Sequence, residues 1–136
     1  MKTIMLILVL LALPLAAQDR VITSAEVAQG WFDVTIAGGE SLSSSVGIGK
    51  ACTPVALRMP DTWTTANITF LASPNSTTPV SLYDDGTEVT ATAAASRYIT
   101  LDAAVFFTVR VLQLRSGTAA SAVNQAASRT IRVVCR

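Results

Sequence analysis

Residues 55–59 read VALRM, residues 68–70 read ITF and residues 131–135 read IRVVC. In each stretch an apolar side chain occupies every second position. Successive side chains of an extended strand point to opposite faces of a sheet, so this period of two is typical of a strand with one buried face. Several such strands at short spacing predict an all-β fold, here a single antiparallel β-sandwich of about eight strands.

Turn residues separate the predicted strands along the rest of the chain. Asp85-Gly86 is a pair that tolerates positive φ, and it predicts a hairpin between its two neighbouring strands. The stretch 105–114 is the longest apolar segment and is expected to be a central strand, with no helix required after residue 30. The predicted strands are 31–37, 55–59, 67–73, 80–83, 88–92, 97–101, 105–114 and 129–136, with an irregular or edge strand within 41–49.

Composition and charge exclude two classes of protein. Hydrophobic residues make up 51% of the 136 residues and charged residues 14%, which is unlike a disordered chain. Ten Lys and Arg stand against nine Asp and Glu. Lys2 is one of the ten cations, and all nine acids lie in 18–136, so residues 18–136 carry nine charges of each sign. A neutral body offers no long-range field for nucleic acid, and we predict no nucleic-acid partner.

The amino terminus has the layout of a secretory signal peptide. Lys2 precedes an apolar run at 4–13, which Pro14 and the small residues Ala16 and Ala17 follow. The alternative is an uncleaved hydrophobic arm that packs against a partner subunit. The run falls short of the roughly 20 apolar residues of a membrane span, so we predict no stable span. We divide the chain into this segment at 1–17, a linker at 18–30 and a sandwich domain at 31–136.

The two cysteines are Cys52, just before one predicted strand, and Cys135, at the end of the last. Behind a signal peptide, an even cysteine count favours a disulfide. The alternative is a pair of separate buried thiols that behave as small apolar residues. A zinc site built on two cysteines would have no histidine to complete it, so we predict no metal.

The sequence carries little catalytic chemistry. With no histidine, the Ser–His and Cys–His routes to an activated nucleophile are closed. The acidic cluster is Asp84, Asp85 and Glu88, but paired carboxylates of a glycosidase must face each other across roughly 5–10 Å. Adjacent aspartates at a hairpin tip point apart. We therefore predict a protein that is not an enzyme and has no cofactor.

Three residues are candidates for contact with a ligand or partner. Trp63 follows Pro60 in a predicted loop, where it is either an exposed stacking platform or a plug over one end of the sandwich. Tyr83 is a second candidate stacking surface, and Asp84 lies beside it. Trp31 begins a strand and is expected in the core.

Three blocks of sequence carry a family resemblance. They are MPDTWTTA at 59–66, YDDGTEVT at 83–90, and LRSGT at 114–118 with VNQAASR at 123–129. Together they resemble a family of small tailed-bacteriophage virion structural proteins. The resemblance implies a jelly-roll or discoidin-like sandwich without catalytic residues. It would serve as a capsid decoration, head fibre or tail/connector component, partnered by other virion proteins and by further copies of itself.

Two functional hypotheses follow. The first is this structural virion component. The alternative is a secreted or periplasmic bacterial binding module that recognises carbohydrate, such as a host-surface glycan, and is stabilised by a Cys52–Cys135 bridge. The signal-like segment motivates the alternative, and Trp63 and Tyr83 are its candidate sugar contacts.

Overall fold

The structure is a computed structural model that describes residues 20–75 and 77–136. The signal-like segment at 1–17 lies outside the described residues. The described residues contain two helices, α1 (Ser24–Gln29) and α2 (Ala103–Phe106). The strands are β1 (Arg20–Val21), β2 (Trp31–Ile36), β3 (Val46–Gly47), β4 (Pro54–Arg58), β5 (Ile68–Ser73), β6 (Val80–Ser81), β7 (Tyr83–Asp84), β8 (Thr87–Glu88), β9 (Thr90–Ala91), β10 (Tyr98–Thr100), β11 (Val111–Ser116) and β12 (Arg129–Cys135).

Two sheets pack face to face. The larger has the order β1-β3-β11-β5-β6, with β9 also paired to β5, and the four-stranded sheet has the order β10-β4-β12-β2. All pairings within them are antiparallel except β1 with β3. If β6 and β9 are counted as one position and the edge strand β1 is set aside, each sheet contains four positions. Successive positions lie in opposite sheets, except for β5 and the β6/β9 position, as in a jelly roll. The prediction of an all-β sandwich is confirmed.

The core lies between the two sheets and follows the predicted alternation. In β2 the buried side chains are Phe32, Val34 and Ile36, and their neighbours point to the other face of the sheet. Strands β11 and β12 contribute in the same way. The ring of Phe70 in β5 meets that of Phe106 edge-on, with centroids 5.0 Å apart. The inward residues of β11 and β12 are Leu112, Leu114, Ile131 and Val133.

Part of the predicted linker belongs to the sandwich. Backbone pairing of β1 with β3 begins at Arg20, and Arg20 also forms an ion pair with Glu26. Thr23 and Glu26 form a reciprocal capping box that starts α1, and Gly30 ends the helix with φ of 73°. Residues 20–30 therefore contain β1 and α1, and α1 is followed through Gly30 by β2.

The expected long strand at 105–114 is wrong in its first half. Asp102 caps a single helical turn, since its Oδ1 accepts a hydrogen bond of 2.9 Å from the Ala104 amide. This turn directs Phe106 into the core, and the strand begins only at Val111. The expectation that no helix follows residue 30 is corrected by the same observation. Local capping by an Asp side chain outweighed a run of β-branched and aromatic residues.

The predicted hairpin turn is confirmed. Asp85 and Gly86 have φ of 46° and 78°, the two positive values of a type I′ turn between β7 and β8. Glu88 then fixes the hairpin base, where its Oε1 accepts from Arg115 Nη1 at 3.2 Å and from the Ala119 amide at 2.9 Å. Glu88 is thus a structural anchor between the hairpin and the larger sheet.

The turn gives a first testable prediction. Gly86→Ala places a Cβ on a left-handed residue, and we expect it to lower the free energy of unfolding by about 1–2 kcal/mol. Denaturant unfolding followed by fluorescence measures the change. Asp84→Ala is the matched control on the same exposed hairpin, expected to change stability by less than about 0.5 kcal/mol. Equal effects of the two substitutions would contradict the role of positive φ at Gly86.

Candidate functional site

A disulfide joins the two cysteines. The Sγ atoms of Cys52 and Cys135 are 2.03 Å apart and the Cα atoms 5.0 Å apart. The bridge ties the segment before β4 to the end of β12. Beside it Thr53 and Arg136 exchange two backbone hydrogen bonds of 3.1 Å. The predicted disulfide is confirmed. It links the start of β4 to the end of β12, the two central strands of the four-stranded sheet.

The three predicted contact residues lie on different elements. Trp63 is half-buried against the core, and its Nε1 donates to the Ala66 carbonyl at 2.8 Å. This is the plug arrangement, with the polar edge of the indole satisfied inside the protein. Tyr83 and Asp84 lie on the separate two-stranded sheet of the hairpin, where both are exposed. Trp63 is therefore a half-buried side chain whose indole N–H is already paired within its own loop.

A different surface gathers polar and aromatic side chains. The outer side of the four-stranded sheet carries one residue from each strand in a single row. Asp33 pairs with Arg132, Arg132 with Arg58, and Arg58 with Tyr98 in the strand register. These side chains point outward because each is next to an inward residue, Phe32, Val133, Leu57 and Ile99 respectively. We call the outward surface formed by Trp31, Asp33, Arg58, Tyr98 and Arg132 the Arg132 face.

Arg132 is held in place from two sides. Its Nε donates to Asp33 Oδ1 at 2.9 Å and its Nη2 to Asp33 Oδ2 at 3.1 Å, a bidentate pair. The hydrogen bonds that Arg132 donates to Asp33 raise the pKa of Arg132, which stabilises the charged guanidinium. The guanidinium carbon also lies 3.6 Å from the centre of the Trp31 ring, a cation–π contact.

The expectation that Trp31 is a core residue is wrong. Trp31 is half-buried on the Arg132 face, where Arg132 covers its ring. The physical reason is the period of two, because Phe32 takes the inward position and therefore turns Trp31 outward. The indole contributes to a surface rather than to the sandwich interior.

A cleft of about 260 Å³ opens on this face. Its walls carry two guanidinium groups, two carboxylates and a hydroxyl. Asp61 Oδ1 accepts from the hydroxyl of Ser96 at 3.4 Å, and the hydroxyl of Thr130 bonds that of Thr35 at 2.9 Å. The lining residues are Asp33, Arg58, Met59, Pro60, Asp61, Thr130 and Arg132.

Within the described residues, the charged groups of the cleft that have no ion-pair partner are the guanidinium of Arg58 and the carboxylate of Asp61. The ion pairs within the described part of the chain join Arg20 to Glu26, Arg115 to Glu88 and Arg132 to Asp33, and none includes Arg58. Arg58 lies directly opposite Arg132 in the register, and like charges so placed repel each other. Asp33 neutralises Arg132, which leaves the Arg58 guanidinium free to receive an external anion or acceptor.

Sequence reasoning overlooked this face. The alternation around Leu57 and Ile131 was sufficient to place Arg58 and Arg132 outward. Their alignment with Asp33 depends on the register of strands that lie far apart in the chain. Such pairings become visible only when the sheet is assembled.

No protein-family model, no curated protein and no solved structure matches this chain. Neither helix in the described residues has the length and apolar character needed to cross a membrane. Over residues 20–75 and 77–136, no group of three or more His, Cys, Asp or Glu side chains is arranged to hold a metal ion. The arrangement on the Arg132 face is suited to hydrogen bonding, stacking and charge recognition.

Proposed function

We propose that this protein is an exported, non-enzymatic β-sandwich module that binds carbohydrate through the Arg132 face. The observation that carries the export part is the Cys52–Cys135 disulfide. Structural disulfides form and persist in secreted and periplasmic proteins, whereas cytosolic thiols are kept reduced. The signal-like segment at 1–17 would be removed on export, most simply after Ala17.

The Arg132 face supports carbohydrate as the ligand. Tyr98 is 62% exposed, and an exposed aromatic ring offers a flat apolar surface with a polar tip. The cleft beside it supplies convergent carboxylate, guanidinium and hydroxyl groups, which satisfy sugar hydroxyls in fixed directions. Arg132 and Asp33 brace each other, so the groups are positioned before a ligand arrives.

The non-enzymatic part of the proposal rests on the residue types available. The chain contains no histidine, and Asp33 in the cleft is bound by Arg132. Both oxygens of this carboxylate already accept hydrogen bonds from Arg132, so it is not placed to exchange a proton with a substrate. The groups on the Arg132 face are therefore suited to binding a ligand rather than to catalysing a reaction.

A glycan panel tests the proposed function. We expect at least one glycan to bind the wild-type protein, and we expect Trp31→Ala and Tyr98→Ala each to weaken that binding by about tenfold or more. Tyr83→Ala on the hairpin is the matched control and should bind like the wild type. The proposal fails if the folded Trp31 and Tyr98 variants keep full affinity. Loss of binding in Tyr83→Ala alone would assign the contact to the hairpin instead.

The second candidate function is a virion component. The three sequence blocks at 59–66, 83–90 and 114–129 favour it, and jelly rolls are a common fold of capsid proteins. In this role the chain would assemble with other virion proteins and with copies of itself in closed symmetry. Co-purification with phage particles and a multimeric mass in solution would support it. A monomer absent from particles would remove it.

A further inference from the structure

We infer that the cleft of the Arg132 face receives a uronic acid, the carboxylate-bearing sugar of an acidic polysaccharide. The inference rests on the proposed function and names the class of ligand for the same site. Arg58 brings to the cleft a positive charge that has no ion-pair partner within the described residues.

Arg58 is suited to the carboxylate of such a sugar. A guanidinium presents its donors as a planar fork that matches a carboxylate with two parallel hydrogen bonds. Its register partner on β12 is Arg132, and the side chains of both arginines line the cleft. A bound carboxylate would pair with Arg58 as Asp33 pairs with Arg132, which a neutral sugar cannot do.

The two carboxylates of the cleft do not cancel this preference. Asp33 is engaged by Arg132 through both of its oxygens. Asp61 forms no ion pair within the described residues and makes one long hydrogen bond, of 3.4 Å, with Ser96. An ionised carboxylate only accepts hydrogen bonds, so Asp61 is suited to the hydroxyl groups of a sugar ring.

The remaining groups fit the other parts of a uronic acid. The hydroxyl of Thr130 bonds Thr35 and keeps further hydrogen-bonding capacity for a ring hydroxyl. Pro60 is half-buried at the edge of the cleft and offers an apolar surface for the ring carbons. The volume of about 260 Å³ lies just below the range of about 300–1,000 Å³ for pockets that take drug-sized ligands. The cleft therefore has room for one sugar unit, with the rest of the chain lying over the sheet near Tyr98.

Titration with matched pairs of oligosaccharides tests the inference. The probes are oligogalacturonate and oligomannuronate, each compared with its own methyl ester, which keeps the shape of the sugar and removes its charge. We expect the wild-type protein to bind one of the free acids at least about tenfold more tightly than its ester. Arg58→Gln should abolish that difference, and Lys50→Gln, an exposed cation outside the face, should retain it. Rising salt should weaken binding of the acid and leave binding of the ester nearly unchanged.

Three results would overturn the inference. They are equal binding of acid and ester, acid preference that survives in Arg58→Gln, and binding of neither free acid. Equal denaturation midpoints for the wild type and both variants ensure that unfolding does not imitate a lost contact. If neutral glycans still bind and Trp31→Ala weakens them, the proposed function stands while the uronate inference falls. If no glycan responds to substitutions on the face, both fall.

Discussion

Replacing both cysteines with serine should lower the free energy of unfolding by about 4–5 kcal/mol, the largest effect that we expect from any change to this chain. The bridge joins residues separated by 83 positions. In the chain-entropy model, a cross-link that closes so long a loop removes many conformations from the unfolded ensemble. Because small domains are stable by only about 5–15 kcal/mol, such a loss would leave the sandwich close to its unfolding threshold.

Urea unfolding of the oxidised wild type, the reduced wild type and the double Cys→Ser variant measures this effect. The reduced protein and the variant should agree, since both lack the cross-link and keep similar side chains. Cys52 is buried, so a hydroxyl at that position adds a smaller desolvation cost. A loss below about 1 kcal/mol in both would contradict the account of the bridge as the main constraint on the unfolded chain.

Substitution of Gln125 should have the second-largest effect. Its side chain is fully buried and joins the loop that contains Thr64 to Ser116 at the end of β11. Its Oε1 accepts from the Thr64 amide at 2.9 Å, and its Nε2 donates to the Thr64 carbonyl at 3.2 Å and the Ser116 hydroxyl at 2.7 Å. Gln125→Ala strands these groups in the interior, and we expect a loss of about 3 kcal/mol.

Two further variants identify the cause of that loss. Gln125→Met restores most of the volume without the amide, so it should still cost about 2 kcal/mol through unpaired polar groups. Asn124→Ala, at the adjacent exposed position, should change stability by less than about 0.5 kcal/mol. A Met variant as stable as the wild type would show that Gln125 acts by filling space. Thermal and urea unfolding of the three variants provide the comparison.

The sandwich could be predicted because its strands obey a local rule. The alternation at 55–59 and 131–135 identifies inward side chains whatever the strand order. The turn at Asp85-Gly86 was equally local, since positive φ is a property of those two residues. The error at 105–114 arose where a cap at Asp102 decided the backbone and apolar periodicity did not.

The candidate site was less predictable because it is made of contacts between distant strands. Trp31, Arg58 and Arg132 are unremarkable in sequence, and each acquires its surroundings from the register of the four-stranded sheet. Trp63 was a predicted contact residue because it is an aromatic residue in a loop. In the structure its Nε1 donates a hydrogen bond to the Ala66 carbonyl. The burial of Gln125 could not be predicted either, because a polar residue in a loop of small residues is usually exposed.

We propose that this is an exported protein with a formed Cys52–Cys135 bridge. The intact mass of the protein from its native source, taken without reductant, tests the claim most directly. The account predicts a chain that lacks the amino-terminal residues 1–17 and is two hydrogens lighter than its reduced form. A full-length chain with both thiols free would contradict export and would favour assembly inside the cell, as expected of a virion component.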